Sequence, residues 1–275
     1  MGARPTIDQY LDNMAAAGTR ICDIDASEAG AGNISLCVDE LPGVDELFPI
    51  TEQVELPLPA PALVGRTLLV TGSGRRLRQI CNDPLAAVGA VVVGADGIQA
   101  TLHTSPRRQF ERLTSEFNSH LAVHDDQVGR RGGSFHAVVH AQPPHLTYLS
   151  HIPAYRSTEQ MNRRIMRWEP ESVVALPRGI DVLEFMVPGS DELMAANVAG
   201  LRDAEIVLWS KHGVMSRSDQ SVTRAVDRIE YAETGAKYEY MDLVAGGRAE
   251  GLTAGEITAV ADAFSVSSPW ATRVG

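Results

Sequence analysis

The chain is predicted to fold as α/β, a single domain with a central β-sheet flanked by helices over residues 1–265 and a C-terminal tail at 266–275. Three observations predict this. Apolar, β-branched runs of strand length alternate with stretches whose apolar residues recur at helical spacing. No internal repeat, low-complexity segment or linker-like change of composition divides the 275 residues. Hydrophobic residues at 44% and charged residues at 21% are proportions typical of a packed globular core, not of a disordered chain.

Residues 6–18 read as an amphipathic helix, with Thr6 as cap, Ile7, Tyr10, Leu11 and Met14 as its apolar stripe, and Gly18 as its stop. Ser27 to Leu36 is a glycine-rich turn feeding a short strand. It is either a plain tight turn or a loop whose bare backbone lies against a ligand with the Asn33 amide aimed at it. Five prolines within 41–66 make a long surface excursion with a short hairpin edge. Thr67 to Thr71 is a strand running into Gly72-Ser73-Gly74. That turn either closes a hairpin or presents N–H groups and a hydroxyl to a phosphate. Arg75 and Arg76 add positive potential in both cases. Residues 87–97 are a strand ending in a turn, and Arg107 and Arg108 are solvated charges in a polar loop.

A helix begins near Thr114, capped by Thr114 or Ser115, with Phe117, His120, Leu121 and His124 at helical spacing. Glu116 then falls in its first turn, where the helix dipole favours a carboxylate. The run from Phe135 to Gln142 is a strand that stops at Pro143-Pro144. Alternate side chains share a face, so His140 and Gln142 project together and His136 lies a layer deeper as a structural residue. Leu146 to Ser150 opens a helical or turn segment, and 159–169 is a basic helix carrying Arg163, Arg164 and Arg167. A strand is expected over 173–179, then a helix capped by Ser190 and running to about Gly200. Val207 to His212 repeats the earlier design of an apolar run, a histidine and then a glycine. The longest helical pattern spans 219–244 and ends at Gly246-Gly247, and a short helix covers 254–263.

Two histidines at the ends of two buried strands, His140 and His212, are what a small metal centre needs, and Glu116 is the natural third participant. His120, His124, His145 and His151 are assigned to surface or core roles. The net charge of −11 and pI near 5.2 argue against a nucleic-acid surface. They leave room for an anionic small molecule, because a phosphate site needs only local donors. Cys22, Cys37 and Cys81 are odd in number and lack C-x-x-C spacing, so neither a disulfide framework nor a thiolate zinc site is expected. With no charged leader and no apolar run of membrane-spanning length, the chain reads as cytoplasmic, with no membrane partner.

Six blocks in register carry a family likeness: Ser27 to Ser35 with its Gly32-Asn33 core, Val70 to Gly74, Thr114-Ser115-Glu116, the His140 strand, Pro188-Gly189-Ser190, and Trp209 to Val214. In these blocks, across residues 5–245, the chain resembles the class II (metal-dependent) aldolase/adducin superfamily, within it the rhamnulose-1-phosphate aldolases and related bacterial sugar-phosphate aldolases. The resemblance implies a central, mainly antiparallel β-sheet. It implies one divalent metal, usually Zn²⁺, held by the histidines of an H-x-H strand and a later H-G turn, which here are His140 and His212. It makes Glu116 the catalytic acid/base and places a substrate phosphate on Gly32, Asn33, Ser73, Gly74 and Ser115. Relatives are homotetramers whose second acid comes from a neighbouring subunit, and Glu171 falls at the matching place.

Two positions depart from the family pattern. Gln142 stands where H-x-H has its second histidine, and Gly30 where an asparagine is common. A neutral amide oxygen from Gln142 as third ligand shifts preference toward Mn²⁺, Co²⁺ or Mg²⁺. The activity implied is reversible cleavage of a ketose 1-phosphate into dihydroxyacetone phosphate and a short aldehyde through a metal-stabilised enediolate. The alternatives are a superfamily decarboxylase or pentulose-phosphate epimerase on the same electron sink, and a metal-free adducin-like interaction domain.

Overall fold

A computed structural model describes residues 5–270. The chain enters through helix α1 (Ile7–Asp23), where the Thr6 hydroxyl accepts from the Gln9 N–H and the Gln9 side chain accepts from the Thr6 N–H. Gly18 does not stop this helix. A Cβ at Gly18 would stand 2.8 Å from the Leu77 carbonyl oxygen, so the glycine answers to a close crossing and the helix continues to Asp23. Next come β1 (Asn33–Val38), a short turn of helix α2 (Val44–Leu47) and β2 (Ile50–Glu55), an exposed strand that pairs with a later one instead of closing a local hairpin. The sequence continues through β3 (Thr67–Thr71), α3 (Leu77–Ile80), α4 (Pro84–Ala87), β4 (Val88–Val93) and β5 (Gln99–Thr104).

The second half comprises α5 (Phe117–Arg131), β6 (Phe135–Ala141), α6 (Pro144–Leu149), α7 (Thr158–Ile165), α8 (Pro170–Ala175), β7 (Asp181–Leu183), α9 (Asp191–Asp203), β8 (Ile206–Trp209), β9 (Gly213–Ser218), α10 (Val222–Ala245) and α11 (Ala254–Ala263). Residues 173–179 are thus not the expected strand. Glu169 takes an extended cap conformation, Pro170 occupies the first helical turn where its missing N–H costs nothing, and Val173, Ala175 and Leu176 are buried. The β-branched pair Val173-Val174 gave a strand signal that the proline start overrides, and the strand forms at 181–183 instead.

The strands form one sheet in the order β2-β5-β4-β3-β1-β6-β9-β8-β7, with every neighbouring pair antiparallel except β7 beside β8. The expected mainly antiparallel sheet is what forms. One face, carrying Ile34, Leu36, Leu69, Val139 and Val214, packs on α1, α10 and the smaller helices in the larger apolar core. The other face is covered by α5 and α9 and holds two smaller apolar clusters, one around Val70, Val91 and Leu121 and one around Val138, Trp209 and Met215. No helix among the described residues is long and apolar enough to cross a membrane. Part of the segment expected as a tail is docked: Trp270 is buried and its indole N–H donates to the Arg178 carbonyl at 2.9 Å. Residues 271–275 of that tail lie outside the described residues.

Candidate active site

Register brings the site together. On the adjacent strands β1 and β6 Asn33 lies opposite His140, and His140 lies opposite Met215 of β9. His212 sits in the three-residue turn between Trp209 and Gly213, whose central Lys211 takes a left-handed φ of 67°. Gly213 lets this turn close on the end of β6, because a Cβ there would meet the Ala141 carbonyl oxygen at 2.4 Å and the Gln142 side chain at 3.0 Å. Glu116 occupies the cap position of α5, just before the first turn in which it was expected. The segment before it is tied to the second glycine turn by the Thr114 N–H to the Thr71 carbonyl (3.0 Å) and the Ser73 N–H to the Arg112 carbonyl (2.8 Å).

These elements surround a small polar pocket of about 130 Å³, lined by Gly32, Asn33, Ser73, Gly74, Ser115, Glu116, His140, Gln142 and His212, with Gly72, Arg75 and Thr114 among its other walls. Every residue nominated from sequence except Glu171 therefore lines one cavity. Glu171 is exposed in the first turn of α8, beside Arg224 and Phe264.

On the pocket floor His140 Nε2 stands 3.6 Å from one Glu116 oxygen and His212 Nε2 stands 4.0 Å from the other. All three candidate ligand atoms lie within 4.8 Å of one another. The separations are too long for hydrogen bonds. The His140 Nδ1–H donates to the Val214 carbonyl at 2.8 Å, so its Nε2 carries a lone pair toward the pocket. The same ring stacks on Trp209, with centroids 4.5 Å apart, and the indole N–H is anchored on Asn197. Two imidazole lone pairs and a carboxylate facing one another are mutually repulsive until a cation lies among them, so this donor set fits a divalent metal. Gln142 is half-buried at the rim, and its main-chain N–H is spent on the Ala26 carbonyl.

Burial pushes the Glu116 carboxyl up, but the neighbouring His140 and the Asn33 amide outweigh it, and the group sits below the usual carboxylate range. His212 is held below the ordinary imidazole value by burial and by His140, against the opposing pull of Glu116 and Glu28. The His212 direction favours a neutral ring beside the ionised Glu116, and a neutral imidazole is what a metal ligand must offer.

Residues 12–240 match the family model described as "Class II Aldolase and Adducin N-terminal domain". The chain belongs to that family. Among the relatives of this class II aldolase is the rhamnulose-1-phosphate aldolase of Citrobacter koseri, 29% identical over 244 residues that span 87% of each chain. A sugar-phosphate aldolase from Thermotoga maritima superposes with a TM-score of 0.74 at 27% identity, over 87% of this chain and 97% of the other. An L-fuculose 1-phosphate aldolase, 17% identical with a TM-score of 0.58 over 95% and 98% of the two chains, shares the fold. The chain is an aldolase-family enzyme, a carbon–carbon lyase.

Three histidines assigned to structural roles from sequence, and one serine given no role of its own, are tied by the structure to this candidate site. His120, His124 and His136, with Ser35, form a buried hydrogen-bonded line that ends on Asn33 and Glu116. The signal was present as His120 and His124 one helical turn apart, following Glu116, and as Asn33 and Ser35 on one strand face.

Proposed function

We propose that this site reversibly cleaves a ketose 1-phosphate, of the rhamnulose 1-phosphate kind, into dihydroxyacetone phosphate and a short aldehyde. One observation carries the reading: Glu116 converges with His140 and His212 on the floor of a pocket whose rim is two glycine turns. His140 and His212 would hold a divalent metal with Gln142 as the third protein ligand. When bound, such an ion supplies Lewis acidity that draws electron density from a substrate carbonyl.

The remaining work falls to the chain's own groups. The main-chain N–H groups of Gly32 and Gly74, the hydroxyls of Ser73 and Ser115 and the Asn33 amide receive the phosphate, helped by the positive field of Arg75. Seating the phosphate there leaves the carbonyl end of the substrate facing the pocket floor, which fixes the scissile bond beside Glu116. Glu116, ionised and largely shielded from water, takes and returns the proton at the carbon beside the carbonyl. Glu171 of a neighbouring subunit in a homotetramer handles the hydroxyl of the aldehyde half. Gln142 in place of an imidazole widens metal choice from Zn²⁺ to Mn²⁺, Co²⁺ or Mg²⁺. The reaction is assigned to the cytoplasm, in keeping with the three unpaired cysteines.

The test is to incubate the purified protein with rhamnulose 1-phosphate and each of the four metals, coupling the release of dihydroxyacetone phosphate to NADH oxidation. Turnover with at least one metal is expected, abolished in Glu116→Gln. Loss of carbon dioxide from a keto acid phosphate, or epimerisation, without any dihydroxyacetone phosphate would overturn the aldolase assignment.

A further inference from the structure

Behind Glu116, between the sheet and α5, five hydrogen bonds join six buried side chains into one line. The Asn33 amide nitrogen lies 2.8 Å from Glu116, and the Asn33 oxygen lies 2.5 Å from His120 Nε2. His120 Nδ1 lies 2.6 Å from the Ser35 hydroxyl, the same hydroxyl lies 2.7 Å from His124 Nε2, and His124 Nδ1 lies 2.7 Å from His136 Nδ1. Ser35, His120 and His124 are wholly inaccessible to solvent.

Each proton along this line is dictated by the one before it. The Asn33 carboxamide donates its N–H to a Glu116 oxygen and turns its own oxygen toward His120. The Asn33 oxygen then requires a hydrogen on His120 Nε2, which leaves His120 Nδ1 to accept from the Ser35 O–H. Ser35, having spent its hydrogen, accepts from His124 Nε2–H, and His124 Nδ1 accepts from His136 Nδ1–H. All five donors point toward Glu116. The far end, His136 Nε2, is a buried acceptor without a partner among the described residues.

We propose that His136, His124, Ser35 and His120 are positioning residues for the aldol chemistry: their one-way line of donors locks the Asn33 carboxamide with its N–H on Glu116, fixing that carboxylate in one orientation. The inference rests on the reading of Glu116 as the acid/base. A freely rotating Asn33 could present its oxygen to Glu116, which would repel the carboxylate; a tautomer-locked His120 forbids that orientation. Aligned donors also polarise one another, so the last N–H on the carboxylate is stronger than an isolated amide's.

The line is not a proton wire, since the carboxamide between His120 and Glu116 has no labile proton to pass on. Nor does it take up charge at the other end. Burial pushes His136 down to about 3, reinforced by the fields of Arg217, Arg131 and Arg228. Burial also takes His120 down to about 3, with His124 adding to the effect. Neutral rings throughout are what the proton assignment requires.

The assignment is tested on full-length protein labelled with ¹⁵N-histidine, by long-range ¹H–¹⁵N correlation at neutral pH. His120 and His124 are expected as neutral Nε2–H tautomers and His136 as the neutral Nδ1–H tautomer. In Ser35→Ala the His120 signal should leave its single-tautomer position, and kcat on rhamnulose 1-phosphate should fall about tenfold or more while KM changes by less than about twofold. Ser35→Thr, which keeps the hydroxyl, should restore both. An Nδ1–H or cationic His120 in the wild type overturns the proposal, as does wild-type kcat in Ser35→Ala. If the wild type itself does not turn over the substrate, the catalytic reading of Glu116 fails on its own. The tautomer measurement then still decides whether the line locks Asn33.

Discussion

Gly213→Ala probes the geometry on which metal binding depends. Gly213 lies outside the left-handed region, so alanine brings no backbone strain and the effect is steric alone. The new Cβ would sit 2.4 Å from the Ala141 carbonyl oxygen, nearer than the 3.0 Å floor for real Cβ contacts, so the strands must part by at least 0.6 Å there. Both moving parts carry proposed ligands, with His140 and Gln142 at the end of β6 and His212 just before β9. A metal site tolerates errors in ligand distance of only about 0.2 Å. We therefore expect Zn²⁺ affinity, measured by competition with a chromophoric chelator, to fall about ten- to a hundredfold. Overpacking of about 1–3 kcal/mol should lower Tm by roughly 3–10 °C without altering the far-UV spectrum. Wild-type Zn²⁺ affinity in a folded Gly213→Ala protein would refute the claim that this close crossing sets the separation of His140 and His212.

Gln142→His should tighten Zn²⁺ binding by about tenfold or more, and unchanged affinity in the chelator titration would remove Gln142 from the ligand set. Glu116→Gln should lower kcat by roughly 10²–10⁴-fold in the coupled assay, and a loss below tenfold would dismiss it as the acid/base. If Glu171 acts across the subunit boundary of the proposed homotetramer, mixing Glu116→Gln and Glu171→Ala subunits should recover activity that neither variant has alone, since some sites then draw both intact residues; no recovery would place Glu171 outside the chemistry. Stability should also depend on acid. Burial holds His120, His124 and His136 well below the ordinary imidazole value, so their contribution is full above about pH 6.5 and falls as pH drops, toward about 3 for His120 and His136. Each can contribute a slope of about 1.4 kcal/mol per pH unit, and urea midpoints that do not change between pH 7 and 5 would contradict the buried neutral line.

Much of the site was legible because its parts are local. A strand that ends in a histidine, a glycine turn after a strand and a carboxylate at a helix start are each contained in a few residues, and the six blocks kept their order. What sequence could not show was how they face one another. His120 and His124 look like ordinary core or surface histidines in sequence, because Ser35, the hydroxyl that joins them, comes from a strand 85 and 89 residues away. The α8 error has the opposite cause: Val173-Val174 looks like a strand locally, while Pro170 and burial against α10 and α11 make it a helix. Gly18 looks like a helix stop in sequence because the Leu77 crossing that demands it lies nearly sixty residues on.

The middle of the sheet holds Asn33 and Ser35 on β1, which has four strands on either side, and His140 on the neighbouring β6, which has three strands between it and the nearer edge. Amides in such a position exchange with solvent chiefly when the whole domain opens, because no fraying edge reaches them. The floor of the candidate site therefore sits in the part of the molecule that gives way last. Heat inactivation should track the global melting curve, with no earlier loss of activity from local loosening at the pocket floor.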